Sequence, residues 1–445
     1  MSIKLPDKVN YIIDVLTKAG FEAYAVGGCI RDSILGRKPE DWDITTSASP
    51  DQVKRLFPKT IDTGIRHGTV TVRVEGEGFE VTTYRIDGVY EDKRHPKEVT
   101  FTSDLIEDLK RRDFTINAMA YNEAQGLIDV FGGIGDLEAQ RIRCVGNPYD
   151  RFNEDALRMM RAVRFGAQLG FVVEEGTKEA ITGLAGNLSE ISAERIQAEF
   201  VKLLLSDHPE EMRTVYETGM SRVFLPEFDR MMETPQNNPF HLYNVGEHSL
   251  VALQNIRADK ALRLAMLLHD VGKPECKSVD ENGIYHFYGH PARGSQMVRA
   301  ILRRLKFDNE TIDRVATLVA WHDDRPALRD ASIRRAIHRV GTGYYPALFE
   351  VKRADVMAKS PLKREEKLRY ISEYERIYQE ILEKRQCLTL QELAVTGNDL
   401  IQLGMEPGKE IGEMLQALLK HVLEYPEDNR REILMELAKT RRKPE

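Results

Sequence analysis

Near residue 150 the hydrophobic period of this chain changes, and it does not change back. Before that point "AYAV" (23–26), "GTVTVRV" (68–74), "FEVTTYRI" (79–86) and "RDFTINAMAYN" (112–122) alternate apolar and polar residues as half-buried strands do, with Gly and Asp between them. From Asp150 onward the spacing is helical, predicting helices over 150–170, 176–186, 192–206 and 209–219 and then on to the C-terminus. Strands first and helices afterwards make an α+β chain. Its 445 residues leave room for about three domains at roughly 150 residues each. The expected organisation is a head with a mixed or antiparallel sheet (1–145), then an all-helical neck (146–225), body (226–385) and tail (386–445). "METPQNNPF" (232–240) and "KRQCLTLQEL" (384–393) are the linker candidates.

Several classes are excluded early. No apolar run approaches the ~18 to 20 residues that cross a bilayer, and "MSIKLPDK" has no signal-peptide core, so no membrane partner is expected. The four cysteines (29, 144, 276, 387) form no CxxC pair, which argues against a disulfide framework and points to a cytoplasmic protein. With a net charge of −7, any nucleic acid must be gripped by a local patch. Oligomeric state leaves no mark in the sequence.

The densest chemistry of the head is "DWDITT" (41–46). On a strand, Asp41 and Asp43 point to one face, which is costly unless a cation lies between them. Hard carboxylate oxygens suit Mg²⁺, which completes its shell with water and substrate phosphates. Glu80, in "FEVTT", could add a third carboxylate from a neighbouring strand. Taken alone, Asp-x-Asp is more often a solvated turn. Upstream, however, "VGGCIRD" follows a strand and opens a helix, where bare N–H groups face an anion. Together they suggest a nucleoside triphosphate with its metal, although no GxxxxGK[ST] loop exists. "LKRRDFTINAMA" adds Lys110, Arg111 and Arg112 at a predicted strand start, with Arg112 suited to a triphosphate and Asp113 to a ribose hydroxyl.

"GGCIRDSILGRKPEDWDITT", "RRDFTINA" and "EDALRMMRAVRF", in this order, resemble the class II tRNA nucleotidyltransferases, the CCA-adding enzymes of the nucleotidyltransferase/poly(A) polymerase superfamily. The resemblance spans residues 20 to about 205, and the tail "LAVTGNDLIQLGMEPGKEIGEMLQALLKHVLE" shares it. It implies template-independent addition of CCA to tRNA from CTP and ATP. It also implies that Gly28 and Arg31 contact phosphates, Asp41 and Asp43 hold Mg²⁺, and Arg112 binds the incoming triphosphate. Asp155 and Arg158 would read the base, with Arg161 and Arg164 lining the same pocket. "DGVYEDKRHPKEV" (87–99) matches the loop that accompanies the switch from C to A. A CC-only or A-only adding enzyme, or a poly(A) polymerase, remains the alternative of like chemistry.

The base-reading role is chemically sound. Cytosine and adenine both offer an exocyclic amine beside an unprotonated ring nitrogen. A fixed carboxylate and guanidinium would pair with both and would clash with uracil or guanine. On one continuous helix Asp155 and Arg158 would lie about 60° apart. Arg161 and Arg164 would turn away, toward phosphate, tRNA or head–neck packing. Glu154 competes for Arg158 at i,i+4.

A second constellation lies in the body. "GEHSLVAL", "MLLHDVGKP", "HFYGHPARGSQ", "VAWHDDRP" and "RADVMAKS" supply His248, His269, Asp270, His290, His322 and Asp355. This resembles the HD phosphohydrolase superfamily, which implies a second divalent metal at His248, His269, Asp270 and Asp355. A chain that is chiefly such a hydrolase, with the head as an RNA-binding module, is the alternative of a different class. "RRAIHRV" (334–340) and "KTRRK" (439–443) are candidate tRNA phosphate contacts.

Overall fold

The structure, a computed structural model, describes residues 2–88, 99–238 and 240–442. Most of the loop at 87–99 therefore lies outside the described residues. The chain forms two compact units, Met1–Pro226 and Glu227–Glu445.

The first unit is built on a seven-stranded sheet. In spatial order its strands are Thr60–Gly64, Thr69–Val74, Glu77–Thr83, Ile44–Thr46, Ala23–Val26, Ala120–Asn122 and Gly126–Ile128. The sheet is mixed. Ile44–Thr46 runs parallel to Glu77–Thr83, and every other pairing is antiparallel. "AYAV" occupies an inner position with all four residues buried, as its apolar run requires. The helix Asp7–Lys18 buries Val9, Ile12, Ile13 and Leu16, a single stripe, beside this sheet. The helix Pro50–Leu56 starts with a capping box between Ser49 and Gln52.

Four sequence expectations need correction. Only Ile44–Thr46 of "DWDITT" is strand. Asp41 and Asp43 lie in the irregular segment before it, where Asp43 keeps one ladder bond, its carbonyl accepting from Val26 N–H at 3.0 Å. "RDFTINAMAYN" is strand only at Ala120–Asn122; its middle forms a 3₁₀ turn, Thr115–Asn117. There Asp113 accepts from Phe114 N–H and Asn117 Nδ2, a local bonding pattern that outcompetes a ladder. The basic cluster thus ends the helix Leu105–Lys110, where cations suit the helix C-terminus.

The fourth correction matters most. The helix expected over 150–170 is two helices, Pro148–Glu154 and Leu157–Leu169. Between them Asp155 is extended (φ −144°, ψ 103°). Its Oδ1 accepts from Leu157 N–H at 3.0 Å, so the side chain caps the second helix at the cost of continuity with the first. The first unit also carries a two-residue parallel pairing, Arg141–Ile142 with Val172–Val173.

The second unit is helical apart from the short hairpin Ser278–Val279/Tyr285–His286. Helices Val245–Gln254, Lys260–Leu268, His290–Arg304, Asn309–Trp321 and Tyr345–Ala358 surround the histidine cluster. Tyr345, Phe349, Tyr374 and Tyr378 pack ring against ring in the core beside them, mostly edge to face. In "RRAIHRV", buried Arg334 donates to the carbonyls of Leu423 and Glu424 and His338 Nδ1 bonds Leu388 O, while Arg335 is partly exposed and Arg339 exposed. No described helix is long and apolar enough to cross a membrane.

Candidate active site

Gly28, Arg31, Asp41 and Asp43 line one cavity of about 510 Å³ in the first unit, with Asp32, Lys38, Glu40, Gln168 and Asp207 on its walls. The glycine pair makes the turn into it. Gly27 has φ +85°, a left-handed value that favours glycine, and a Cβ there would come within 3.1 Å of Arg112 Nη1. Gly28 then opens the helix Gly28–Ile34.

The carboxylates gather at the mouth of the cleft. Asp41, Asp43 and Glu80 are all solvent-exposed. Ile44 pairs with Val81 in the parallel register, which places Glu80 on the strand alongside Asp43. Asp43's carboxyl is held above its ordinary value, first by desolvation and then by the like charges of Glu80 and Asp41, against the pull of Arg112. A cation between these oxygens would relieve that repulsion, so the donor set fits a hard divalent ion.

The arginines are held both by near neighbours in sequence and by residues brought from afar. Arg31 spans Asp32, through Nε at 2.8 Å and Nη2 at 3.0 Å, and Asn117 Oδ1, through Nη1 at 2.8 Å. Its guanidinium also lies 5.2 Å from the Phe165 ring centre. Fully buried Asp108 accepts two bonds from Arg111 on Oδ1 and one from Arg112, at 3.4 Å, on Oδ2. Arg112 Nε is buried without a hydrogen-bond partner among the described residues.

The helix 157–169 carries the next layer. Arg158 is buried and donates to Glu154 at 2.7 Å and to the carbonyls of Arg151 and Arg111. The Glu154 pairing foreseen as a competitor is therefore formed. Asp155 pairs instead with Arg195 at 2.7 Å, so the two base-reading candidates each hold a different partner. Arg161 grips Asp113 Oδ2 through Nε at 2.9 Å and Nη2 at 2.5 Å. Arg164 donates to Glu199 at 2.6 Å and stacks on Phe165. Asp113, expected near a ribose, is buried and accepts both of the Arg161 bonds.

Sequence reasoning missed Asp108, Asn117, Arg195 and Glu199. Each forms its key pair with a partner distant in sequence or sits in an ordinary helical face. The one available signal was Asp108 at i,i+3 and i,i+4 from two arginines.

Asp113 also sets an acid limit on the unit. Burial works to raise its carboxyl, but Arg161, with Arg158 and Asn117, prevails and holds it at about 2. A depressed folded value stabilises above the unfolded pKa of about 4 and loses that stabilisation as pH falls through 2, on the order of 2 kcal/mol. Asp113→Asn should therefore lower stability at about pH 6, with the gap from the unsubstituted chain roughly halved by about pH 3 and closing only as pH falls below about 2. Denaturant midpoints at the two pH values measure it, and a gap that stays constant would refute the pairing as its source.

In the second unit His248, His269, Asp270 and Asp355 do come together. His248 Nε2 lies 3.0 Å from Asp355 Oδ1, and His269 Nε2 lies 3.1 Å from Asp270 Oδ2. Among the described residues, the groups close enough to hold a metal by three such side chains are His248–His269–Asp270 and Asp270–His290–His322. The open trio Asp41, Asp43 and Glu80 is not so convergent.

Family models match most of the chain. That described as "Poly A polymerase head domain" covers residues 23–143. "Probable RNA and SrmB- binding site of polymerase A" covers 170–232, and "tRNA nucleotidyltransferase domain 2" covers 292–438. The CCA-adding enzyme of Enterococcus faecalis is 35% identical over 436 residues, covering 97% of this chain and 95% of that protein. That of Bacillus velezensis is 36% identical over 429 residues, 96% of each. The crystal structure of the Bacillus stearothermophilus CCA-adding enzyme in complex with CTP superposes with a TM-score of 0.73 at 32% identity, covering 99% of both chains. The Thermotoga maritima CCA-adding enzyme complexed with tRNA shares the fold, with a TM-score of 0.59 at 22% identity over 99% of this chain and all of that one. At this identity over nearly the whole of both chains, the chain belongs to the CCA-adding enzyme family.

Proposed function

We propose that this chain adds C, C and A to the 3′ ends of tRNA from CTP and ATP, releasing pyrophosphate at each step. The observation that carries the reading is the single cavity onto which Gly28, Arg31, Asp41 and Asp43 all open, in a chain of this family. A divalent cation goes with the family's chemistry, and we assign it as Mg²⁺ on Asp41 and Asp43, with Glu80 in reserve. Bound there, it would polarise the α-phosphate and lower the charge on the attacking hydroxyl and leaving pyrophosphate. Arg112, with its unpartnered Nε, and Arg31 orient the triphosphate. Gly27 and Gly28 let the phosphates approach the backbone closely.

Asp155 and Arg158 select the base by the amine and ring-nitrogen pattern common to cytosine and adenine. Both are paired within the protein, so reading a base exchanges one charge-assisted bond for another: Arg195 yields on Asp155, and Glu154 on Arg158. Arg161, Arg164, Asp113 and Glu199 keep the helix 157–169 in register beneath them. Asp155→Ala should raise use of UTP and GTP against CTP by roughly 10²-fold, because the mismatch that rejects them is gone; unchanged choice in single-nucleotide assays would assign selection elsewhere.

The head, neck, body and tail are proposed at 1–145, 146–225, 226–385 and 386–445; a sheet ending at Ile128 and a unit boundary at Pro226 support the first two. A cytoplasmic site of action suits the four unpaired thiols. The decisive experiment supplies tRNA ending before CCA with CTP alone, ATP alone or both. Growth by two residues with CTP and three with both is expected; addition of A alone, or of long A tracts, would sink the reading. Convergence of His248, His269, Asp270 and Asp355 favours a second reading alongside the first, a body that binds a divalent metal and hydrolyses a phosphoester.

A further inference from the structure

Asp108 is wholly buried, so it meets no ligand itself, yet the bonds it accepts converge from three segments of the first unit. Oδ1 takes Arg111 Nε at 2.9 Å and Nη2 at 2.8 Å, together with the Arg85 backbone N–H at 3.4 Å. Oδ2 takes the Thr45 hydroxyl at 3.1 Å and Arg112 Nη2 at 3.4 Å. Burial works to raise this carboxyl, but Arg111 and Arg112 prevail and hold it below its ordinary value, so it keeps its charge.

The two arginines are not equivalent. Arg111 meets Oδ1 through two donors, and that contact alone gives the buried charge its counter-ion. Thr45 already serves the other oxygen. A second cation at 3.4 Å is surplus to neutralising the acid, and what its contact does is fix where Arg112 stands. That place is the cleft. Arg112 Nη1 lies 3.1 Å from the point a Cβ on Gly27 would occupy. Among the charges near Asp43, whose carboxyl desolvation raises, Arg112 pulls hardest the other way. Thr45 is two residues beyond Asp43, buried in the strand Ile44–Thr46. One carboxylate therefore bonds both the strand that leads out of Asp43 and the arginine whose charge Asp43 feels.

We infer that Asp108 is a positioning residue for nucleotide transfer: by holding Thr45 and Arg112 on one oxygen, it sets the triphosphate-binding cation at a fixed distance from Asp43. The inference rests on the roles proposed above for Arg112 and Asp43 and adds the group that aligns them. In-line transfer at the α-phosphate depends on such alignment, and a displacement of about 1 Å can cost about 10²-fold in rate. Attraction in the ground state runs the other way, because removing the acid's charge leaves two arginines to draw an anion.

The test uses the full chain with Mg²⁺, CTP and tRNA ending before CCA. Asp108→Asn should lower kcat about 10²-fold with no rise in KM for CTP, the pattern of an interaction made in the transition state. By calorimetry, CTP should bind this variant at least as tightly as the parent, a readout that needs no turnover. In an Arg112→Ala background the same substitution should cost less than about threefold, because the group it acts through is gone. Thr45→Val keeps the shape and removes one donor, so it should lower kcat by roughly fivefold in the parent and add nothing to Asp108→Asn. An equal loss with and without Arg112, or a KM that rises while kcat holds, overturns the positioning role and leaves the proposed reaction standing. A parent chain that extends no tRNA, or extension indifferent to Arg112→Ala, overturns the proposed function or its Arg112 assignment as well. Should Asp108→Asn not fold, Thr45→Val decides: undiminished kcat there overturns the inference.

Discussion

Asp43→Ala will abolish tRNA extension while leaving the protein folded. The carboxylate is exposed at the cleft mouth, so its loss opens no cavity and strands no buried charge. Desolvation first, and then the like charges of Glu80 and Asp41, push its carboxyl upward against the pull of Arg112, so the free protein gains slightly from its removal. The reaction loses a ligand for the cation that offsets charge on the transferred phosphate. Such stabilisation contributes several kcal/mol, so the rate should fall by about 10³-fold or more. Primer-extension rates with CTP and truncated tRNA, beside a thermal melt, separate the two effects. Near-normal extension with an intact fold would place catalysis elsewhere.

Glu199→Ala should have the opposite profile, a large loss of stability. Glu199 and Arg164 are each about 7% exposed and joined at 2.6 Å, with Arg161 at 3.8 Å from the same carboxylate. Removing the acid leaves Arg164 buried against Phe165 with only Gln168 to accept from it. Breaking one partner of a buried pair in this way costs about 3 to 5 kcal/mol. Glu199→Gln, which keeps an acceptor, should cost clearly less. Denaturant unfolding followed by near-UV signals of the first unit gives both values; equal losses would mean that packing, and not charge, explains the site.

These two residues also divide what could be read from the chain alone. Asp43 was legible because its chemistry is local: two carboxylates at i and i+2, a glycine turn and an arginine lie within sixteen residues, Gly28 to Asp43. Glu199 was invisible because its meaning comes from Arg164, 35 residues away. Arg195 with Asp155 spans 40 residues, and Arg31 with Asn117 spans 86. Helix periodicity likewise found the segment 150–170 but not its break, since Asp155 caps a helix by a side-chain bond that no hydrophobic pattern encodes.

The sequence by itself determined the α+β order, the mixed head followed by helices, the family, and the identities of the residues around the cleft. Local spacing and alternation suffice for these, because a strand or a helix face is a short-range property. Only the tertiary structure decided which charge meets which. It gave Asp155 and Arg158 different partners, set Asp113 against Arg161, and divided one run of histidines into two triads about Asp270. Pairing between distant segments depends on how helices and strands pack, and in a buried site each cation goes to the acceptor that packing brings within about 3 Å.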